Sequence, residues 1–187
     1  MKRWIVWLLA LAMLLGAAAF AEEAEVAGRI DFTEELAPYS GKWVTFDDGF
    51  RLYLPSQWSR MNVSEAQAQA GLFYSEGNGG GDALVGDVAM GVAVGYAAAG
   101  DLKTLDDLAR DYGSVGFTEV TKLDLNGMLS VTFVDRTNDY RGVAFFHPSV
   151  PGYVMSVYVS PCGETEQLVN DVGSAILCSL TPRGAKE

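Results

Sequence analysis

From residue 43 to residue 160 the chain repeatedly alternates large apolar side chains with small or polar ones at a period of two, broken by a helical period at 101–112. Period two marks half-buried strands. Trp43-Val44-Thr45-Phe46 and Phe50-Arg51-Leu52-Tyr53-Leu54 flank Asp47-Asp48-Gly49, and Asp-Gly between two such runs predicts a hairpin. Pro55 ends the second run because it has no N–H for a ladder, and Trp58 falls in the short turn that follows. Leu72-Phe73-Tyr74-Ser75 predicts another strand, leading into a glycine-rich surface loop at 77–82. In residues 88–96 bulky side chains alternate with Ala or Gly. That pattern predicts a central strand with a helix against its small face.

Leu102, Leu105, Leu108, Ala109 and Tyr112 recur at spacings of three and four, which predicts a helix over 101–112. Thr104 is its candidate N-cap, Asp106 and Asp107 suit the first turn, and Gly113 and Gly116 close it. Strand-like runs at 117–124, 128–135, 140–147 and 152–160 are separated by Asn126-Gly127, Asn138-Asp139 and the turn at 148–152. Four strands on short turns make an antiparallel meander. From Glu164 to about Leu180 the apolar positions Leu168, Val169, Val172, Ala175, Ile176 and Leu180 oppose Glu164, Glu166 and Asp171. An amphipathic helix closing over the sheet follows. If that helix is continuous, Cys162 and Cys178 lie roughly 20 Å apart at about 1.5 Å per residue. A bridge needs Cα atoms within about 7 Å, so the two cysteines are expected to be unbridged.

The first 21 residues carry a different pattern: Lys2 and Arg3, an uncharged apolar run at 4–15, and small residues ending Ala19-Phe20-Ala21 before Glu22, Glu23 and Glu25. This is the layout of a cleavable signal peptide. Cleavage is expected after Ala21, giving a soluble periplasmic, cell-envelope or secreted product without a membrane anchor. Residues 22–41 read as a flexible acidic N-terminal arm with one helical turn at 33–36, residues 42–182 as a single α+β domain, and 183–187 as a tail. Removing Lys2 and Arg3 leaves 11 basic against 24 acidic residues, a net charge of −13. Such a surface disfavours nucleic acid, whose binding rests on lysine and arginine at phosphates, and anionic membranes by the same sign.

Candidate chemistry is sparse. His147, the one histidine, stands at a strand end before Pro148 and reads as a turn residue. There is no G-x-S-x-G elbow, no cofactor motif, and no zinc spacing. Asp47-Asp48-Gly49, Asp82 with Asp87, and Asp135 with Asn138-Asp139 put oxygens in turns without completing a calcium loop. The glycine run lacks the Lys-Ser/Thr of a phosphate loop, and Asn62-Val63-Ser64 is a glycosylation sequon. We expect no catalytic, cofactor or metal residues. Trp43, Tyr53 and Trp58 are the candidates for an aromatic-lined ligand groove.

Gly49-Phe50-Arg51-Leu52-Tyr53-Leu54-Pro55-Ser56-Gln57-Trp58 resembles the opening of the PsbP-like domain, where an early strand ends in Pro-x-x-Trp or a close variant. Thr104-Leu105 with Leu108, the Asn126-Gly127 hairpin and the closing Cys178-Ser179-Leu180 follow the same order, so the resemblance spans about residues 43–181. It implies an antiparallel sheet sandwiched by helices, and a family largely of non-enzymatic binding and assembly factors. The expectation is therefore an exported protein-interaction or assembly module with a protein partner. The alternatives are a small-ligand carrier and a hydrolase using carboxylates around 76–87.

Overall fold

The computed structural model describes residues 25–46, 49–61, 72–77, 88–162 and 167–184. The leader, the turn residues Asp47 and Asp48, the sequon, the glycine-rich stretch with Asp82 and Asp87, Glu164 and Glu166, and the last three residues lie outside the described residues.

The protein is α+β and mostly sheet. The hairpin forms as expected, β2 (Gly41–Phe46) pairing antiparallel with β3 (Phe50–Pro55) so that Phe46 faces Phe50. Gly49 turns the chain at φ +97°, a value that favours glycine. After β4 (Ser59–Met61) and β5 (Leu72–Gly77) comes β6 (Gly91–Ala98), whose partners are β5 on one side and β10 on the other. Helix α1 (Leu105–Ser114) starts at Thr104, whose side chain accepts from the Asp107 N–H while the Asp107 carboxylate accepts from the Thr104 N–H. That reciprocal capping box satisfies two donors at the helix start.

The meander then runs through β7 (Thr118–Leu125), β8 (Met128–Asp135), β9 (Tyr140–Phe146) and β10 (Tyr153–Ser160), each antiparallel to the next. Helix α2 (Gln167–Cys178) and a two-residue strand β11 (Thr181–Pro182) close the chain. Cys162 and Cys178 are unbridged.

Alternation along the strands sorts the core into two. Val94, Val143, Phe145, Met155, Val157 and Val159 share one face of the large sheet, where β3 and the apolar side of α2 cover them. Val131, Phe133, Ala144 and Val154 share the other, with Leu105 and Leu108 of α1.

Three expectations need correction. The large sheet is mixed, because β1 (Gly28–Ile30) pairs parallel with β7 at its edge, Ile30 opposite Leu125. Part of the presumed arm is thus built into the fold: beyond β1, the Thr33 turn appears as a single 3-10 turn at Glu34–Leu36, and Ile30 and Tyr39 pack against the larger core. A three-residue strand next to charged residues carries too little alternation to read. Second, the hairpin belongs to a separate sheet of order β11-β3-β2. Third, α1, the element that follows β6 in the chain, does not cover the small face of that strand: it packs chiefly on β7 and β8. The large sheet runs β1-β7-β8-β9-β10-β6-β5-β4, so the connection from β6 to β7 must cross three strands, and the helix sits at the arrival end.

Candidate functional site

The three aromatics singled out in the sequence do not form a groove. Trp58 is enclosed in the larger core beside Phe50 and Leu52. Tyr53 is buried; its hydroxyl accepts from the Gly41 N–H at 2.9 Å and its ring stacks on Tyr39 at 5.8 Å. Trp43 lies directly across the hairpin from Tyr53, with ring centroids 5.4 Å apart. The Arg51 guanidinium sits 4.4 Å over the Trp43 ring and the indole N–H donates to Glu34. Phe32 completes this cluster at 6.1 Å from Trp43 and 5.9 Å from Tyr53. Stacked and edge-on rings fill the space, and their role there is packing.

An open cavity of about 500 Å³ lies on the other side of Phe32, between residues 30–38 and helix α2. Ile30, Phe32, Ala175 and Cys178 line it, Leu36 to Pro38 form a wall, and Glu35, Asp171 and Ser174 supply the polar atoms. The segment is held there by backbone and side-chain bonds as well as by Ile30 at its start, which packs on the larger core. The Asn126 N–H donates to the Ile30 carbonyl, and the Phe32 N–H donates to the Asn126 side chain at 2.6 Å. The Tyr39 hydroxyl donates to the Tyr53 carbonyl. Along α2, Leu168, Asp171, Ala175 and Cys178 recur at helical spacing and share a stripe. Leu36 is 63% exposed and Leu168 43%. Sequence reading missed this site because its near wall lay in the presumed arm; the cue was Phe32 and Leu36, two large apolar residues in an otherwise acidic stretch.

A smaller cavity of about 170 Å³ shares Ser174 and Cys178 with the groove and reaches Thr132, Gly142 and Arg141 on the sheet. A third, of about 510 Å³, opens where the start of α1 meets Met128, Leu129 and Phe145.

The titratable groups are set for structure. Burial pushes both the Cys178 and Cys162 thiols up, so both are protonated at neutral pH, which ill suits a nucleophile. The His147 Nδ1 accepts from the Ser149 and Val150 N–H groups and so braces the turn after β9. The Asp135 carboxylate is used up on the turn it begins, accepting from Thr137 and Asn138, while Asp139 accepts from the Cys162 N–H. Among the described residues no three His, Cys, Asp or Glu side chains converge as metal ligands, and no helix is long and apolar enough to cross a membrane.

No family model and no curated protein matches the chain. Among solved structures it is similar to a protein from Bacteroides thetaiotaomicron, at 13% identity and a TM-score of 0.41. The match covers 79% of this chain and 50% of that one, so the chain spans about half the length of that protein.

Proposed function

We propose that this chain is an exported, non-catalytic interaction module whose groove between residues 30–38 and α2 seats a short segment of a partner protein. That segment is apolar in its middle and carries lysine or arginine at its flanks. The observation behind this reading is the make-up of the groove: an apolar floor and wall, with Leu36 standing in water and the carboxylates Glu35 and Asp171 alongside. Exposed apolar surface rimmed by polar groups marks interaction sites, and carboxylates on the rim select a cationic neighbour. The layout of the first 21 residues supports export.

A PsbP-like domain, with its sheet sandwiched by helices, belongs to the same proposal. The sequence of hairpin, α1, meander and closing helix supports it, and such a domain would act by binding. The cavity's volume also falls in the range of small-molecule pockets, which favours an apolar ligand as the second reading.

Selection from a displayed library of random peptides tests the first reading. Enriched peptides should join apolar residues to lysine or arginine, and Leu36→Asp should weaken their binding about tenfold or more. Val115→Asp, an equally exposed position at the far end of α1, should leave it unchanged. Enrichment of acidic peptides, or equal binding by the Leu36 variant, would overturn the reading.

A further inference from the structure

Arg141 stands out in a chain this acidic, because among the described residues its guanidinium meets no carboxylate. It projects from β9 toward α2, where one terminal nitrogen donates to the Ser174 hydroxyl at 2.8 Å and the other to the Asn170 side-chain oxygen at 2.6 Å. Both acceptors are neutral. The Nε–H is buried without an acceptor, and no ion pair to Arg141 forms among the described residues. The side chain runs alongside Gly173, where a Cβ would stand 3.6 Å from the Arg141 Cδ, an ordinary contact. Asn170, Ser174 and Cys178 recur every four residues, so α2 turns one stripe toward this side chain.

The arginine also lines the cavity of about 170 Å³ between α2 and strands β8 and β9, together with Ser174 and Thr132. A guanidinium has five N–H donors in a fixed fork that matches a carboxylate. Two are spent on Ser174 and Asn170 and one is buried, so one N–H on each terminal nitrogen is left for a guest. Glu119, on the rim of the same cavity, is matched by Arg136 at 2.6 Å. Among the described residues the local balance therefore leaves a single uncompensated positive charge, which fits a monoanion and not a phosphate dianion.

We propose that this cavity is a carboxylate site, with Arg141 as the charged recognition residue and Ser174 and Asn170 holding its fork in register. A free monocarboxylate or the C-terminal carboxylate of a peptide presents the same group. The site does not depend on the groove reading: it can bind while the groove docks nothing, and the reverse.

The test is a titration of the purified chain, followed by the Arg141 Nε and Ser174 backbone NMR signals. Sodium butyrate is added at constant ionic strength, with sodium chloride as control. A short apolar peptide is added in a second arm, once with a free and once with an amidated C-terminus. Butyrate should move both signals saturably while chloride does not. Arg141→Gln should weaken binding about tenfold or more, and Ser174→Ala, at an exposed position that leaves the core intact, about threefold. Tighter binding of the free-acid peptide than of butyrate assigns the site to a chain terminus, and equal binding assigns it to a free monocarboxylate. Signals that stay still in butyrate, that move equally in chloride, or that saturate unchanged in a folded Arg141→Gln variant would overturn the proposal and leave Arg141 as a clamp between α2 and β9.

Discussion

Asn126 joins three parts of the chain that lie far apart in sequence. Its backbone takes φ +53°, a left-handed turn that asparagine tolerates. Its side-chain amide donates to the Cys178 and Leu180 carbonyls at 2.8 and 2.7 Å, and its side-chain oxygen accepts from the Phe32 N–H. One residue thus closes the β7–β8 hairpin, satisfies carbonyls at the end of α2 and pins the wall of the groove. Asn126→Ala should cost about 2–3 kcal/mol, at about 1 kcal/mol for each net hydrogen bond lost, measured by urea denaturation. The hairpin role is legible in Asn126-Gly127, but nothing local in the sequence announces bonds to carbonyls more than fifty positions away.

Asp135 is the second residue with a measurable signature. Burial pushes its carboxyl up, but hydrogen bonds from Asn138, Tyr140 and Thr137 outweigh burial and hold it below its ordinary range. A carboxylate depressed in the folded state adds stability above its unfolded pKa of about 4, and that stability is lost as pH falls through the folded value. The wild type should therefore melt at a higher temperature than Asp135→Asn near neutral pH, with the gap closing below about pH 4. A gap that is constant from pH 7 to pH 2 would show that the charge contributes nothing.

At the scale of elements, α2 decides the site, because it presents one side to the larger core and another to the groove and to Arg141. Val169, Val172 and Ile176 were legible as its buried side from their spacing. Leu168, whose spacing places it on that same side, is instead 43% exposed. A stripe of leucine, alanine and cysteine looks the same in sequence whether it faces a core or a cleft. The cleft exists because residues 30–38 lie over it, and their strand is held mainly by parallel pairing to β7.

Gly173 in mid-helix has ordinary room around it, a Cβ there meeting Val159 at 3.4 Å and nothing closer. Gly173→Ala should accordingly raise stability by about 0.5–1 kcal/mol, the usual gain over glycine in a helix interior, read from the midpoint of thermal unfolding. A loss would mean that the contact with Val159 cannot give.

For the whole molecule, the strands of the meander, the hairpin and both helices follow from alternation, turn residues and capping signals that act over a few positions. What the chain does not announce is set by long-range closure: the parallel edge strand, the small second sheet with β11, and the groove made where the chain's beginning meets its last helix. Trp43, Tyr53 and Trp58 were natural candidates for a binding surface, yet large aromatics in a strand hairpin serve packing first. The site lies one layer out, where Phe32 is the one aromatic among mostly smaller lining side chains.

The most direct measurement is hydrogen–deuterium exchange of the purified chain with and without a bound partner segment from the peptide selection. The account predicts added protection concentrated in residues 30–38 and 167–178, lost in Leu36→Asp. Protection confined to the exposed edge of β2, or spread evenly over the fold, would contradict it.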